Sequence, residues 1–311
     1  MQAQVLEIVE KRRQFFGMPC SLADYKTVDQ GTVPATAVID NPRVSLHCAD
    51  HETGRVIFTE LASDVDLTSV PFVYQAQHDH AQRLYAIEYE HFFELFALTG
   101  RAGDDAILIH TPGRSGSTLL SRILSVSGTV ASLSEPDIFT QVPGYRMDGA
   151  ADDELVKLCR TAVDALLSKV LKGRAKVGAI KFRNQCLAAI DLLEAACPNA
   201  RHVFIHRQPL DTIHSFYRLG QRAGLAESMP IQAATQFLAA YYSQPIEEIA
   251  DHLASVRWRD DIVSPLAFST TFWAVAIYCF VQRKPDAMPL FMIDYDELRT
   301  MPRLSLIHIS E

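Results

Sequence analysis

The stretch Ala106-Ile107-Leu108-Ile109-His110-Thr111-Pro112-Gly113-Arg114-Ser115-Gly116-Ser117-Thr118-Leu119-Leu120-Ser121-Arg122-Ile123-Leu124 changes character twice. Ala106–His110 is a short apolar run without polar alternation, as expected of a strand covered on both faces. Thr111–Thr118 is a turn with two glycines, and the residues after it read as a helix. Such a turn aims unpaired backbone N–H groups and the positive end of the helix dipole at one spot. Gly113 and Gly116 permit close approach, Ser115, Ser117 and Thr118 add hydroxyls, and Arg114 adds a full charge. The turn therefore reads as a socket for a phosphate-like anion; the alternative is a turn whose glycines serve packing alone. It is not a Walker loop. Only Arg114 and Ser115 separate the glycines, and no lysine follows Gly116.

A second cluster has the same grammar. Arg201–His206 is another apolar strand, and Arg207-Gln208-Pro209-Leu210-Asp211-Thr212-Ile213-His214-Ser215 leads into a helix whose first turn holds Pro209. Arg207 then lies at the carboxyl edge of a strand, with Ser215 two turns into the helix. Open α/β sheets bind ligands at that edge. Two anion sites along it predict a ligand with phosphates at both ends. Strand Val177–Lys181, helix Cys186–Ala196, strand His202–His206, helix Pro209–Leu219 and a last strand Leu290–Ile293 alternate. The expected fold class is α/β: a three-layer parallel sheet with helices on both faces, preceded by a small α+β N-terminal region.

The paired motifs resemble the sulfotransferase family, whose donor is 3′-phosphoadenosine-5′-phosphosulfate, and most nearly its bacterial and tyrosylprotein-type members. In that family a Pro-(Lys/Arg)-Ser-Gly-Thr-Thr loop holds the 5′-phosphosulfate. An Arg-Asp-Pro segment, with a serine eight residues beyond its arginine, holds the 3′-phosphate. The resemblance implies that Arg114, Ser115, Gly116, Ser117 and Thr118 take the 5′ end, and Arg207 and Ser215 the 3′ end. Gly113, Ser117 and Gln208 depart from the pattern without removing a phosphate donor. The likeness runs from about Ala106 to Arg299, and Asp294–Leu298 resembles the family's Tyr-Glu-Asp-Leu stretch. The implied fold is the P-loop-like sulfotransferase fold.

Two further residues acquire roles from the resemblance. Glu135 matches a glutamate that serves some of these enzymes as general base toward the acceptor hydroxyl, a task suited to a partly desolvated carboxylate. The alternative is that Ser134 caps a helix and Glu135 favours its positive end. Lys181 matches a lysine beside the bridging oxygen of the donor, where a fixed ammonium stabilises developing charge; the alternative is a solvated lysine at a strand end, and Arg183 is a possible substitute. His110, His206 and His214 are weaker candidates for the base, with His110 expected to pack beneath the loop. His78 and His80 do not share a helix face, and no metal is expected.

Composition sets the remaining bounds. With 311 residues, 48% of them hydrophobic, the chain can bury a full core. A net charge of −8 argues against nucleic acid or anionic lipid as a partner. The six cysteines have no framework spacing and read as reduced buried thiols of a cytoplasmic protein. The Phe272–Val281 run is too short to span a bilayer, and no membrane anchor is expected. Ala3–Phe16, Pro71–Leu84 and His91–Leu98 are expected to be helical, and Thr32–Leu61 to form strands. Pro265–Gln282 is expected as a buried helix, and Gln221–Asp261 as a polar cover over the donor.

The division expected is residues 1–100 as an accessory region, 101–302 as the sulfotransferase-like domain, and 303–311 as a non-native tail. Leu304–Glu311 fits no family element and resembles translated adapter read-through, so a truncated reading frame that impairs the donor pocket is expected. The anticipated activity is sulfuryl transfer to a hydroxyl or amine of a small-molecule, saccharide or peptide acceptor. A P-loop-type nucleotide kinase and a catalytically inactive nucleotide-binding module are the alternatives. The kinase would need a magnesium-binding aspartate at a strand end, which neither Ile180-Lys181 nor Ile205-His206-Arg207 supplies.

Overall fold

The computed structural model describes residues 1–13, 17–97, 102–126, 128–171, 175–223, 227–254 and 261–300. The expected tail at 303–311 and the boundary at Thr99-Gly100 lie outside them. The apolar run at the head of the anion loop forms β6 (Ile107–His110), the central strand of a five-stranded parallel sheet. Its neighbours are β8 (Val177–Lys181) and β9 (Arg201–His206). The edges are β7 (Val130–Ser134) beside β8, and β12 (Leu290–Asp294) beside β9. Side chains of β6 alternate between two cores. Ile107 and Ile109 pack with Leu120 and Leu124 of α4 (Ser117–Val126) and with Leu298 of α12 (Tyr295–Thr300). Leu108 faces a larger core with side chains from α6 (Asp152–Val170) and α7 (Ile190–Ala196). Both faces of the sheet are thus covered, as its uninterrupted apolar strands require. A third core joins α9 (Ile231–Tyr242) and α10 (Ile246–Ala254) to α11 (Pro265–Arg283).

The N-terminal region is α+β as expected, but several of its elements differ from the expected ones. Gln2–Lys11 is strand β1, not a helix, and pairs antiparallel with β2 (Tyr25–Pro34) and β5 (Ala81–Glu88). The apolar spacing of Val5, Leu6, Ile8 and Val9 imitates a helix, but a register shift in β1 breaks the simple alternation that would have announced a strand. Likewise the expected helix to Leu84 stops early: α2 covers Val73–His80 and β5 begins at Ala81. Strands β3 (Val44–Asp50) and β4 (Arg55–Leu61) form as expected, giving the order β2-β1-β5-β4-β3. Between β2 and β3, α1 (Ala35–Asp40) interrupts the expected strand run. The helix expected at His91 starts at Tyr89 as α3 (Tyr89–Ala97).

This region shares the main core. Leu46, Val56, Phe58 and Phe92 belong to the same buried cluster as Leu108, Leu133 and Phe139 of the parallel-sheet part. A buried ion pair adds to the joint. Asp137, at the head of α5 (Asp137–Met147), accepts a hydrogen bond from Arg183 at 2.8 Å and another from the Cys20 amide at 2.7 Å. Arg183 also donates to the Gly17 carbonyl at 2.5 Å. Burial alone would lower the Arg183 pKa; Asp137, together with Tyr241, Tyr74 and Glu135, outweighs it and raises the net value. Arg183 is thereby committed to the fold rather than free to replace Lys181.

The segment expected as a polar cover is instead packed in where it is described. Tyr242 of α9 is fully buried, accepts from Asn184 at 2.7 Å and donates to the Phe272 carbonyl at 2.9 Å. Helix α11 is long and apolar enough to cross a membrane by length and composition, but Phe272, Val275, Ala276 and Cys279 line the third core. All six cysteines are free and buried. Burial holds Cys186, Cys197 and Cys279 up to about 12, so these are inert thiols.

Candidate active site

Strand order alone assembles the site. Ile109 of β6 is level with Lys181 of β8, and Lys181 with Ser134 of β7. Residues that follow these strands therefore emerge side by side at the carboxyl edge. From β6 the chain crosses toward β7, while β9 lies on the other flank. The crevice between β6 and β9 is thus a topological switch point, where open α/β sheets take their ligands. The first anion loop leaves β6 there, and Arg207 leaves β9 there.

The loop is held in an unusual backbone conformation. Gly113, Arg114 and Gly116 all have positive φ, at 88°, 56° and 85°. For a non-glycine residue such as Arg114 this costs about 1–3 kcal/mol and marks a segment held by its surroundings. A Cβ at Gly113 would approach Phe216 to 2.7 Å, which explains a glycine where the family pattern has proline. The Ser115 hydroxyl lies 2.6 Å from that of Thr111 and donates to the Ile205 carbonyl at 2.9 Å. Its side chain staples the loop to β9, so the backbone N–H is what Ser115 has to offer an anion. The amides of Arg114, Ser115 and Gly116 have no acceptor among the described residues.

The two motifs touch. Arg114 Nε donates to Ser215 Oγ at 2.9 Å, joining the loop to α8 (Pro209–Arg222). Arg207 lies over the Tyr295 ring, 4.8 Å from its centroid, and a Cβ on Gly116 would run into that same ring. One tyrosine therefore spans the distance between the glycine turn and the second arginine. Arg207 makes a long 3.4 Å contact to Asp211, and its buried Nε has no partner among the described residues. Burial, then the charges of Arg222 and Arg207, press the Arg114 pKa downward. Three guanidinium groups crowd one edge, an arrangement that a polyanion relieves. Arg222 and Tyr295 had been given no role in the sequence reading. Tyr295 lay within a recognised stretch, whereas Arg222, at the far end of α8, carried no signal.

On the other flank of the loop, Lys181 and Glu135 meet. Lys181 Nζ is 2.6 Å from Glu135 Oε1, with side chains 2% and 16% exposed. It also donates to Thr118 Oγ1 at 3.3 Å, and the Phe72 ring centroid lies 5.6 Å away. Lys181 is thus a buried ammonium rather than a solvated strand end. Glu135 has φ +61° and its N–H donates to the Lys181 carbonyl at 2.7 Å. Helix α5 begins behind Pro136 without a side-chain cap, and the Ser134 hydroxyl donates to the Pro71 carbonyl at 2.7 Å. Ser134 therefore does not cap the helix; the strained Glu135 is aimed at Lys181 instead.

The histidines separate clearly. His110 is buried beneath the loop, 3.0 Å from His202 and stacked on it. Burial, with His202 adding to it, drives its pKa well down. His206 is partly exposed, 3.6 Å from Asp294, and His214 is exposed on α8. No group of three metal-ligating side chains occurs among the described residues.

The sequence profile of the Sulfotransferase family matches residues 106–270, just over half of the chain. A search of curated proteins finds no match. Among solved structures, the chain is similar to a sulfotransferase from Alicyclobacillus acidocaldarius at 14% identity and a TM-score of 0.39, covering 66% of this chain and 79% of that one. It is also similar to a sulfotransferase domain from the curacin biosynthetic pathway, at 14% identity and a TM-score of 0.37, covering 66% and 72%. The matched span opens at the strand that feeds the anion loop and takes in Glu135, Lys181, Arg207 and Ser215, and on that match the chain belongs to the sulfotransferase family.

Proposed function

We propose that this protein transfers a sulfuryl group from 3′-phosphoadenosine-5′-phosphosulfate to an acceptor hydroxyl or amine. The observation that carries the reading is the meeting of Lys181, Glu135 and Thr118 beside a cationic loop that touches Ser215. The loop amides, Arg114 and Thr118 suit the 5′ end of the donor. The unpartnered Nε of Arg207 and the hydroxyl of Ser215 suit its 3′-phosphate.

In the reaction the acceptor oxygen bonds to sulfur while the bond from sulfur to the 5′-phosphate oxygen breaks. Glu135 takes the acceptor proton. Lys181 stabilises the charge that builds on the leaving oxygen, and adenosine 3′,5′-bisphosphate departs. Lys181 is the shared element: in the structure it neutralises Glu135, and an arriving anionic donor competes for the same ammonium.

Calorimetry with adenosine 3′,5′-bisphosphate and with ATP tests the donor. The bisphosphate should bind at least tenfold more tightly, because Arg207 and Ser215 address a 3′-phosphate that ATP lacks. Preference for ATP would overturn the reading in favour of a kinase. Turnover with labelled donor over an acceptor panel then separates an enzyme from a binding module.

A further inference from the structure

Helix α4 packs Leu120 and Leu124 into the core and carries a polar stripe beside them. Thr118, Ser121, Arg122 and Ser125 follow at i, i+3, i+4 and i+7, the spacing of one helix stripe. That polar stripe is partly buried, with Ser121 inside and Arg122 exposed. It lines a cavity of about 240 Å³, closed on the other side by Ser132 and Ser134 of β7 and roofed by Thr68–Pro71. Leu119 and Val126 of the same helix are left exposed. Ser121 and Ser132 are buried and share a 2.6 Å hydrogen bond across the cavity wall. Hydroxyls from two elements that converge on one cavity suit a ligand able to hydrogen-bond with them.

The cavity adjoins the reacting groups on three sides. Thr118 lines it and accepts from Lys181. Ser134 lines it and precedes Glu135, and Pro71 lines it and precedes Phe72, the ring beside Lys181. Its wall combines hydroxyls and one guanidinium with the apolar Val70, Pro71 and Val126, and has no carboxylate and no aromatic ring. Arg122 is exposed and makes no ion pair with a described residue. At ~30 Å³ per water the volume holds about eight waters, the size of a monosaccharide.

Building on the sulfuryl-transfer reading, we propose that this cavity is the acceptor subsite and that it takes a polyhydroxylated acceptor with an anionic group, such as a sugar acid, anchored by Arg122. Seven of the cavity's eleven lining residues carry hydroxyls, and it offers a flat phenol no aromatic ring to stack on. The N-terminal region would then contribute to acceptor choice through Thr68–Pro71.

The test titrates D-glucuronate, D-glucose and p-nitrophenol into protein saturated with adenosine 3′,5′-bisphosphate. Glucuronate should bind at least tenfold more tightly than glucose, and p-nitrophenol more weakly than either. Arg122→Ala should erase the preference for glucuronate while leaving bisphosphate affinity within threefold, and Arg122→Lys should restore part of it. Ser125→Trp, which fills the cavity, should abolish binding of both sugars with bisphosphate affinity kept. A tenfold loss of bisphosphate affinity in Arg122→Ala would assign Arg122 to the donor and overturn the proposal. So would glucuronate binding indifferent to both substitutions, or tighter binding of p-nitrophenol. If wild-type protein binds no bisphosphate, the donor reading fails, and the same sugar titrations on free protein still decide the subsite.

Discussion

At the scale of single residues, the proposed reaction divides the site into groups that hold and a group that reacts. Arg207 stacks on Tyr295 at the β9 side, while Lys181 is sealed between Glu135, Thr118 and Phe72 at the β8 side. The two cations should therefore fail differently. Lys181→Ala should lower kcat by about 10²–10³-fold, the usual loss when one transition-state donor is removed, with bisphosphate affinity largely kept. Arg207→Ala should weaken bisphosphate binding at least tenfold. Single-turnover rates and calorimetry on both variants check this contrast, and equal effects on binding and rate would contradict the division. The Lys181–Glu135 pair was not readable as a contact. Each residue could be matched to a family position, but their 2.6 Å meeting depends on β7 and β8 being neighbours.

Elements tell a similar story one level up. The αβ part was legible because its strands are short, apolar and followed by turn residues, and β8 and the start of α8 fall where the pattern puts them. Strand β7 escaped notice: Val130-Ala131-Ser132-Leu133-Ser134 is an edge strand with two serines turned toward a cavity. Packing between elements is close enough to be felt by one methyl group. A Cβ on Gly178 of β8 would meet both terminal carbons of Leu167 on α6 at 2.7 Å. Gly178→Val should cost about 1–3 kcal/mol by overpacking, read as a lowered urea midpoint with an unchanged slope.

For the whole molecule, the N-terminal sheet and the parallel sheet are joined by one core and by the Asp137–Arg183 pair. Within the N-terminal sheet, His47 is fully buried, 2.9 Å from the Tyr25 hydroxyl and 3.1 Å from Gln77. Burial, only partly offset by the Gln77 hydrogen bond and the Asp137 charge, lowers its pKa to about 4. The unfolded ring titrates near ~6.5. Above that pH both states are neutral and this group adds no dependence. As pH falls from 6.5 toward 4, the unfolded chain takes up a proton that the native state refuses, so stability drops, by about 3 kcal/mol for this group. Denaturant midpoints at pH 7, 5.5 and 4.5 should fall in that order, and His47→Gln should flatten the trend. His110 and His202, also lowered by burial, act with the same sign.

Local chemistry along the chain was enough to specify the glycine turn after β6, the strand end that carries Arg207 and the alternating layers, because these depend on neighbours within a few residues of one another. A glycine turn between a strand and a helix exposes amides wherever it occurs. What needed the folded chain was everything set by residues far apart in sequence. The β1 strand exists because β2 and β5 lie on either side of it. The polar stripe of α4 borders a cavity only because β7 and Thr68–Pro71 lie against it. Glu135 reaches Lys181 only because strand order brings two distant strand ends to one edge. Pairing and burial energies come from long-range neighbours, and a local pattern does not say who those neighbours are.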